Sequence, residues 1–371
     1  MLAGLSPRVV FRPIFRLHKC HIKRSSEWRR IYCFHSRTLS QRAGQQNATN
    51  TDNVNLINDV NGDLQGIHQD INHILDSKPG MLQNMCCYYF DGKGKSIRPR
   101  IVFLVSRAFN YHNFSKSFVS EDQRKVALIS EMIHVGSLIH DDVVDFSDVR
   151  RGKMSVNSIC GDRKALMAGN FVVSNASRLL SSIGNANVTV TISQVIEDIV
   201  RGEFMQQDNQ GSFNQYLKKT YKKTASLVAN CCKAAVQLSS SEAQAETAFE
   251  FGRNLGIAFQ LVDDLLDFVS TSESLGKPTA ADLKLGLATA PVLFASEKHP
   301  LLHDMILRRF QHKHDVEEAL KLVANSGAIE DTRLLATQYC HDAVRCLEHL
   351  KPSPEKDALI QVTDLVVNRS K

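Results

Sequence analysis

No stretch of this sequence approaches the roughly 18 consecutive apolar residues of a membrane-spanning helix, so its 43% hydrophobic content is left to build a packed core. No CxxC occurs among the nine cysteines. Cys20 and Cys33 lie near the N-terminus, and Cys86 with Cys87 and Cys231 with Cys232 form adjacent pairs. Adjacent pairs do not have zinc-ligand spacing, and they read as buried thiols in a reducing compartment. The GxxxxGK[ST] phosphate loop is missing. So is any repeat of solenoid period. Strand signals are scarce too, because the β-branched run at 188–192 stands too isolated to support a sheet.

Acidic residues are nearly absent from the first 51 positions, which hold ten Lys or Arg and one acid, Glu27. That segment carries +9 of a total of +6, so the remainder is close to −3. Basic residues in excess therefore do not mark the body of the protein as a nucleic-acid binder. Arginines interspersed with Leu, Val, Phe and Ile, and almost no acid, have the composition of a mitochondrial transit peptide. The competing reading is a basic arm for RNA or anionic lipid. A polar stretch at 45–55, rich in Asn and Thr, reads as the linker that follows. Residues 1–50 are thus expected to be targeting segment and linker, and 51–371 one folded domain.

From about residue 57 the apolar residues recur at three and four, the period of an amphipathic helix. The pattern predicts helices over 57–75, 125–139, 165–180, 192–205, 225–238, 248–268 and 332–350. Short breaks at 78–80, 182–187, 207–214 and 297–300 carry turn chemistry. The fold class is therefore all-α.

One stretch organises the rest. Residues 131–153 read EMIHVGSLIHDDVVDFSDVRRGK, an apolar helix ending in Asp141, Asp142 and Asp145, then Arg150 and Arg151. Positions i and i+4 share a helical face with i+1 beside them, which points the three carboxylates the same way. Like charges on one face repel, and a hard divalent cation with oxygen ligands, such as Mg²⁺, is the natural counter-charge. The spacing recurs in FQLVDDLLDF, with Asp263, Asp264 and Asp267. A single DDxxD is ordinarily a solvated face. Two copies inside otherwise apolar helices are not, because unpaired charge in apolar surroundings is strongly disfavoured. The pair points to a joint metal and diphosphate site.

Basic groups stand nearby in sequence. DGKGKSIRPR at 91–100 is a flexible turn whose N–H groups and cations suit a phosphate. YLKKTYKKT at 216–224 and Lys277 add further cations. Arg150 and Arg151 are the stronger candidates, since a guanidinium fork matches phosphate oxygens.

Taken together, FQLVDDLLDF, DDVVD followed by VRRGK, the GK and RP pieces of the 91–100 turn, KKTASL, and GKPTAADLKLGLATAPVLFA resemble the trans-isoprenyl diphosphate synthases, in their long-chain polyprenyl branch. The likeness runs in order from about residue 57 to the C-terminus. It implies an all-α isoprenoid-synthase fold around a deep central cavity, with both aspartate clusters at its mouth. It also implies that Asp141, Asp142, Asp145, Asp263, Asp264 and Asp267 hold Mg²⁺ against an allylic diphosphate. Arg150 would contact that diphosphate, aided by Lys223, Thr224, Gln260 and Lys277. Lys95, Arg98, His134 and Arg151 would bind isopentenyl diphosphate. Many members have Arg directly after the turn lysine, where this chain has Ser96 and a nearby Lys93.

The implied activity is repeated head-to-tail condensation of isopentenyl diphosphate onto farnesyl or geranylgeranyl diphosphate, giving the decaprenyl or nonaprenyl precursor of the ubiquinone side chain. No protein nucleophile is required, because the work is electrostatic stabilisation of a leaving group. Small residues at Gly136 and Ser137, where short-chain relatives carry aromatics, imply an open tunnel and a long product. The implied partners are a second homologous subunit, or a second copy of the same chain, and no nucleic acid. The implied location is the mitochondrial matrix, with peripheral contact to the inner membrane through the lipid product. A terpene cyclase shares fold and ionisation but usually has one DDxxD and lacks the basic isopentenyl site. A non-catalytic scaffold subunit predicts eroded aspartates, and all six are present.

Overall fold

The structure, a computed structural model, describes residues 61–76, 80–92, 94–150, 152–207, 211–269 and 280–369. The chain divides between Val54 and Asn55, and every described residue lies in the unit Asn55–Lys371. The expected transit segment, the linker, Lys93, Arg151 and Lys277 lie outside the described residues.

Helices make up about three quarters of the described residues. In order they are α1 (Asn61–Leu64), α2 (Ile67–Ile74), α3 (Met81–Cys87), α4 (Ile97–Phe114) and α5 (Glu121–Val144). A two-residue hairpin, β1 (Val149–Arg150) and β2 (Lys153–Met154), pairs Val149 with Met154 and Arg150 with Lys153. There follow α6 (Val156–Cys160), α7 (Asp162–Ser181), α8 (Ala186–Gln207) and α9 (Phe213–Thr220), then a π turn (Tyr221–Ala225) leading into α10 (Ser226–Gln237). The remainder comprises α11 (Glu242–Val269), α12 (Ala281–Lys284), α13 (Ala290–Ser296), α14 (Leu301–Leu307), α15 (Asp315–Ser326), α16 (Ala328–Cys346) and α17 (Pro354–Asn368). Among the described residues no helix is long and apolar enough to cross a membrane.

Two helices position the aspartates, and local chemistry explains where each runs. α5 starts at a capping box, in which Ser120 Oγ accepts from Gln123 N–H and Gln123 Oε1 accepts from Ser120 N–H. Glu121 and Asp122 favour its positive end. Gln123 is itself buried and donates to Ala235 O at 3.0 Å, which fastens the start of α5 to α10. Ile129, Met132 and Ile139 are completely buried, a burial worth about 1.5 to 3 kcal/mol for each side chain. α11 lies against α10 with almost no gap, since a Cβ on Gly252 or Gly256 would meet Ala229 Cα at 2.8 Å or Ala225 Cα at 2.6 Å. Along α11 two hydrophobic clusters meet. Phe251, Leu255 and Ala258 belong to the larger, and Ile257, Leu261, Val262 and Leu266 to the smaller, with Ala290, Val292 and Ile306.

Several expected boundaries shift. The helix expected over 57–75 is broken at Gly66, whose φ of 77° is left-handed. The β-branched run 188–192 is helical, inside α8, with Val188 and Ile192 fully buried. Tertiary burial there overrides a weak local preference. The turn expected at 91–100 gives way to α4 at Ile97, with Pro99 in its first turn, where a missing N–H costs nothing.

Candidate active site

The first aspartate cluster faces two ways. Asp142 is fully buried; its Oδ2 accepts from Tyr89 Oη at 2.9 Å, and its Oδ1 accepts from Arg150 Nε at 2.7 Å. Arg150 Nη2 lies 2.5 Å from the same oxygen. This pair fixes the β1–β2 hairpin onto α5, and an ion pair removed from water holds its geometry because separation would strand a charge. Tyr88 Oη donates to Met154 O at 3.0 Å, and Lys153 pairs with Asp91, so the hairpin is also tied to the start of the basic turn.

Asp141 and Asp145, one turn apart and half-buried, face Lys223 and Glu203. Burial pushes the Asp141 carboxyl up to about 6; Lys223 opposes the rise, while Glu203 and Asp145 add to it. Asp145 is raised as well, chiefly by burial. Lys223 Nζ donates to Glu203 Oε2 at 2.5 Å and to Gln206 Oε1 at 3.2 Å. Burial lowers its pKa, but Asp141 and Glu203 outweigh that effect and hold it above the usual lysine value. Lys223 and Thr224 sit in the π turn, a distortion common at functional sites. α8 approaches closely there, because a Cβ on Gly202 would meet Lys223 N at 2.7 Å.

The second cluster divides in a similar way. Asp264 is 2% exposed; its Oδ2 accepts from Tyr216 Oη at 2.6 Å, and its Oδ1 accepts from Gln260 Nε2 at 2.8 Å. Gln260 Oε1 in turn accepts from Thr224 Oγ1 at 2.9 Å. Both middle aspartates are therefore internal carboxylates held by a buried tyrosine. Asp267 accepts from the N–H groups of Ala281 and Asp282, each at 3.1 Å, at the start of α12. Asp263 is half-exposed and accepts from Arg369 at 2.6 Å. Asp282 is pushed up to about 7, first by burial and then by Asp264 and Asp267. Burial lowers the Lys219 pKa, while Asp264 and Asp282 raise it and Lys223 lowers it further. Lys219 and Lys223, one turn apart, thus stand between the two acid groups. Beside them a cavity of about 140 Å³ is lined by Gln206, Tyr216, Lys219 and Ala288.

The other expected site residues are distributed as follows. Lys95 is exposed on the turn before α4, and Ser96, at φ 44°, lies 3.0 Å from His68 Nε2. Arg98, in the first turn of α4, faces α10 closely enough to restrain the rise of the Cys231 thiol, which burial pushes up to about 12. His134 is half-buried on α5, and its carbonyl accepts from Ser137 Oγ at 2.9 Å. Gly136 is buried against α7, where a Cβ would meet Val173 Cγ2 at 2.8 Å. Helix packing by itself therefore demands its small size. Sequence reasoning passed over Tyr89, Glu203, Gln206, Tyr216, Lys219 and Asp282. Tyr216 and Lys219 stand in the stretch noted as basic, and the spacing of four between Lys219 and Lys223 was the available signal. Nothing in the helical period singles out Tyr89 or Glu203.

The chain belongs to the polyprenyl synthetase family, whose pattern covers residues 79–323, and is an enzyme of the prenyltransferase class. It is 51% identical over 314 residues to the human all trans-polyprenyl-diphosphate synthase, covering 83% of this chain and 76% of that protein. To decaprenyl-diphosphate synthase subunit 1 of Schizosaccharomyces pombe it is 40% identical over 351 residues, covering 86% and 93% respectively. A solved polyprenyl synthase from Caulobacter crescentus, complexed with calcium and isoprenyl diphosphate, superposes with a TM-score of 0.77 at 28% identity. That match covers 85% of this chain and 97% of the other. The helical architecture is the isoprenoid-synthase fold.

Proposed function

We propose that this protein is a long-chain all-trans-polyprenyl diphosphate synthase that adds isopentenyl diphosphate repeatedly to an allylic diphosphate. The observation that carries the reading is the meeting of two aspartate-bearing helices around Lys219 and Lys223, with Arg150 anchored beside them. In each cycle the allylic C–O bond breaks and pyrophosphate leaves. The isopentenyl double bond attacks the allylic carbon, and a proton passes to the departed pyrophosphate. Arg150, held rigid by Asp142, and Lys223 offer preorganised positive charge to the leaving group, as does Lys219. Lys95, Arg98, His134 and Arg151 are assigned to isopentenyl diphosphate, and Thr224, Gln260 and Lys277 to the allylic side.

The residues fit Mg²⁺. Its donors here are hard carboxylate oxygens, and Asp141 and Asp282 are raised first by burial and then by neighbouring carboxylates, both of which a bound cation would offset. Among the described residues no three ligating side chains converge on one point. Mg²⁺ suits such a site, because it typically keeps several waters and takes phosphate oxygens as further ligands. Asp141, Asp142, Asp145, Asp263, Asp264 and Asp267 are assigned to hold it, with Asp142 and Asp264 the buried member of each cluster. Bound Mg²⁺ supplies neutralisation of the charge that develops on pyrophosphate.

The product is assigned as the decaprenyl or nonaprenyl precursor of ubiquinone, made in the mitochondrial matrix beside the inner membrane. Residues 1–50 serve as targeting segment and linker, and 51–371 as the catalytic domain; the Arg-rich composition supports this. A second homologous subunit completes the enzyme. Exposed Leu166 and Met167 on α7 and Val190, Val200 and Phe204 on α8 support such a partner. The test is incubation with Mg²⁺, farnesyl diphosphate and labelled isopentenyl diphosphate, alone and with a homologous subunit, followed by product-length analysis. Long polyprenyl products are expected. Failure to extend farnesyl diphosphate under both conditions overturns the reading.

A further inference from the structure

Arg369, directly after α17, reaches back to α11. Its Nη2 donates to Phe259 O at 3.0 Å and to Asp263 Oδ1 at 2.6 Å, and its guanidinium carbon stacks 3.9 Å from the centre of the Phe259 ring. The two partners differ in freedom. The arginine side chain is 17% exposed and is held by a carbonyl and a ring besides the carboxylate, whereas Asp263 is 53% exposed. If the pair opens, the carboxylate is the partner that rotates.

We propose that Arg369 is a positioning residue of the second aspartate cluster: a built-in counter-ion that holds Asp263 and that a divalent cation must displace. The proposal rests on the reading of Asp263 as a metal ligand. A cation at a coordination distance of about 2.0–2.1 Å from Asp263 stands against a guanidinium already on the same group, so the two positive charges compete. Affinity for the cation is then set against the ion pair. Because coupling of two binding events is reciprocal, loading the site also loosens the C-terminal end of α17. The arrangement keeps a half-exposed carboxylate neutralised when no substrate is bound.

The test is titration of the full-length protein with Mn²⁺ in the presence of inorganic pyrophosphate, with free Mn²⁺ read by electron paramagnetic resonance. Arg369→Gln is expected to tighten Mn²⁺ binding about threefold, the scale of a partly exposed ion pair. Arg369→Lys, which keeps the charge but not the stacked fork, should fall between Arg369→Gln and the wild type. In an Asp263→Asn background, Arg369→Gln should change nothing further. Hydrogen exchange in the last turns of α17 should quicken as Mn²⁺ is added to the wild type. A melting curve for each variant separates loss of the contact from loss of fold, and Arg369→Lys still tests the competition if Arg369→Gln is unstable. Equal or weaker Mn²⁺ binding by Arg369→Gln, with Asp263→Asn weakened, overturns the counter-ion role alone. If Asp263→Asn binds Mn²⁺ like the wild type, the metal-ligand reading of Asp263 fails, and this proposal with it.

Discussion

At the scale of single residues, neighbours in sequence do different work. Asp141 is a carboxyl held towards its neutral form by burial, whereas Asp142 is the buried counter-ion of Arg150 and the acceptor of Tyr89. Asp141→Asn, Asp142→Asn and Asp264→Asn are each expected to lower turnover by about a hundredfold or more, because each removes negative charge from the clusters assigned to the metal that is needed mainly when pyrophosphate leaves. Stability should separate them. Asp142→Asn leaves the guanidinium without its charge partner and should cost about 2 kcal/mol or more, whereas Asp141→Asn removes a charge disfavoured first by burial and then by Glu203 and Asp145, and should melt at or above the wild-type temperature. Thermal unfolding in metal-free buffer checks this, and a wild-type melting point for Asp142→Asn would remove the anchoring role. Tyr216→Phe deprives buried Asp264 of one donor, which should cost about 1–3 kcal/mol in urea unfolding.

At the scale of elements, packing between helices decides which small residues are free to change. Gly136 closes the contact between α5 and α7, so Gly136→Tyr is expected to lower stability by about 1–3 kcal/mol or more through overpacking, in addition to any change in product. Ser137, about 6 Å or one turn before Asp141 on the same helix, is only half-buried where Gly136 is buried. Ser137→Phe is therefore the cleaner test of chain length. It should leave the first condensations intact and shorten the products to a few isoprene units, as read by chromatography of the labelled lipids. Long products from a folded, active Ser137→Phe enzyme would mean that the growing chain does not pass this turn.

At the scale of the whole molecule, the buried carboxyls at the site couple stability to pH and to metal. Asp141 and Asp282 have native pKa values of about 6 and about 7, above the roughly 3.9 of an unfolded aspartate. A raised carboxyl pKa stabilises the fold fully below the unfolded value, and that contribution is lost as pH rises through the native one. In metal-free buffer, these two groups should therefore make the protein less stable from about pH 4 to pH 7. Mg²⁺ requires the ionised carboxylates, so its stabilising effect should grow over the same window. The melting-point increase on adding Mg²⁺ should be larger at pH 8 than at pH 5.5, and an equal increase at both would refute the assignment. For the assembly, Val200→Glu should abolish co-purification with a homologous second subunit if the exposed face of α8 is the contact. Fusion of residues 1–51 to a reporter should direct it to mitochondria.

The sequence by itself determined the helical class, the two acidic clusters and the kind of chemistry they support. A period of 3.6 and a doubled DDxxD are local properties of a chain, fixed by backbone geometry and by repulsion between like charges. Only the tertiary structure decided how the carboxylates are used. Helical spacing gives the angle of each side chain around its own axis but not the neighbour it meets. It groups Asp141, Asp142 and Asp145 on one side, yet Asp142 meets Tyr89 from 53 positions earlier while Asp141 meets Lys223 and Glu203. Asp282 likewise lies close to Asp264 and Asp267 because the chain returns there through α12. The β-branched run in α8 and the π turn at Lys223 depended in the same way on what packs against each segment. A weak local preference yields to burial and close backbone contact, and those forces come from parts of the chain far away in sequence.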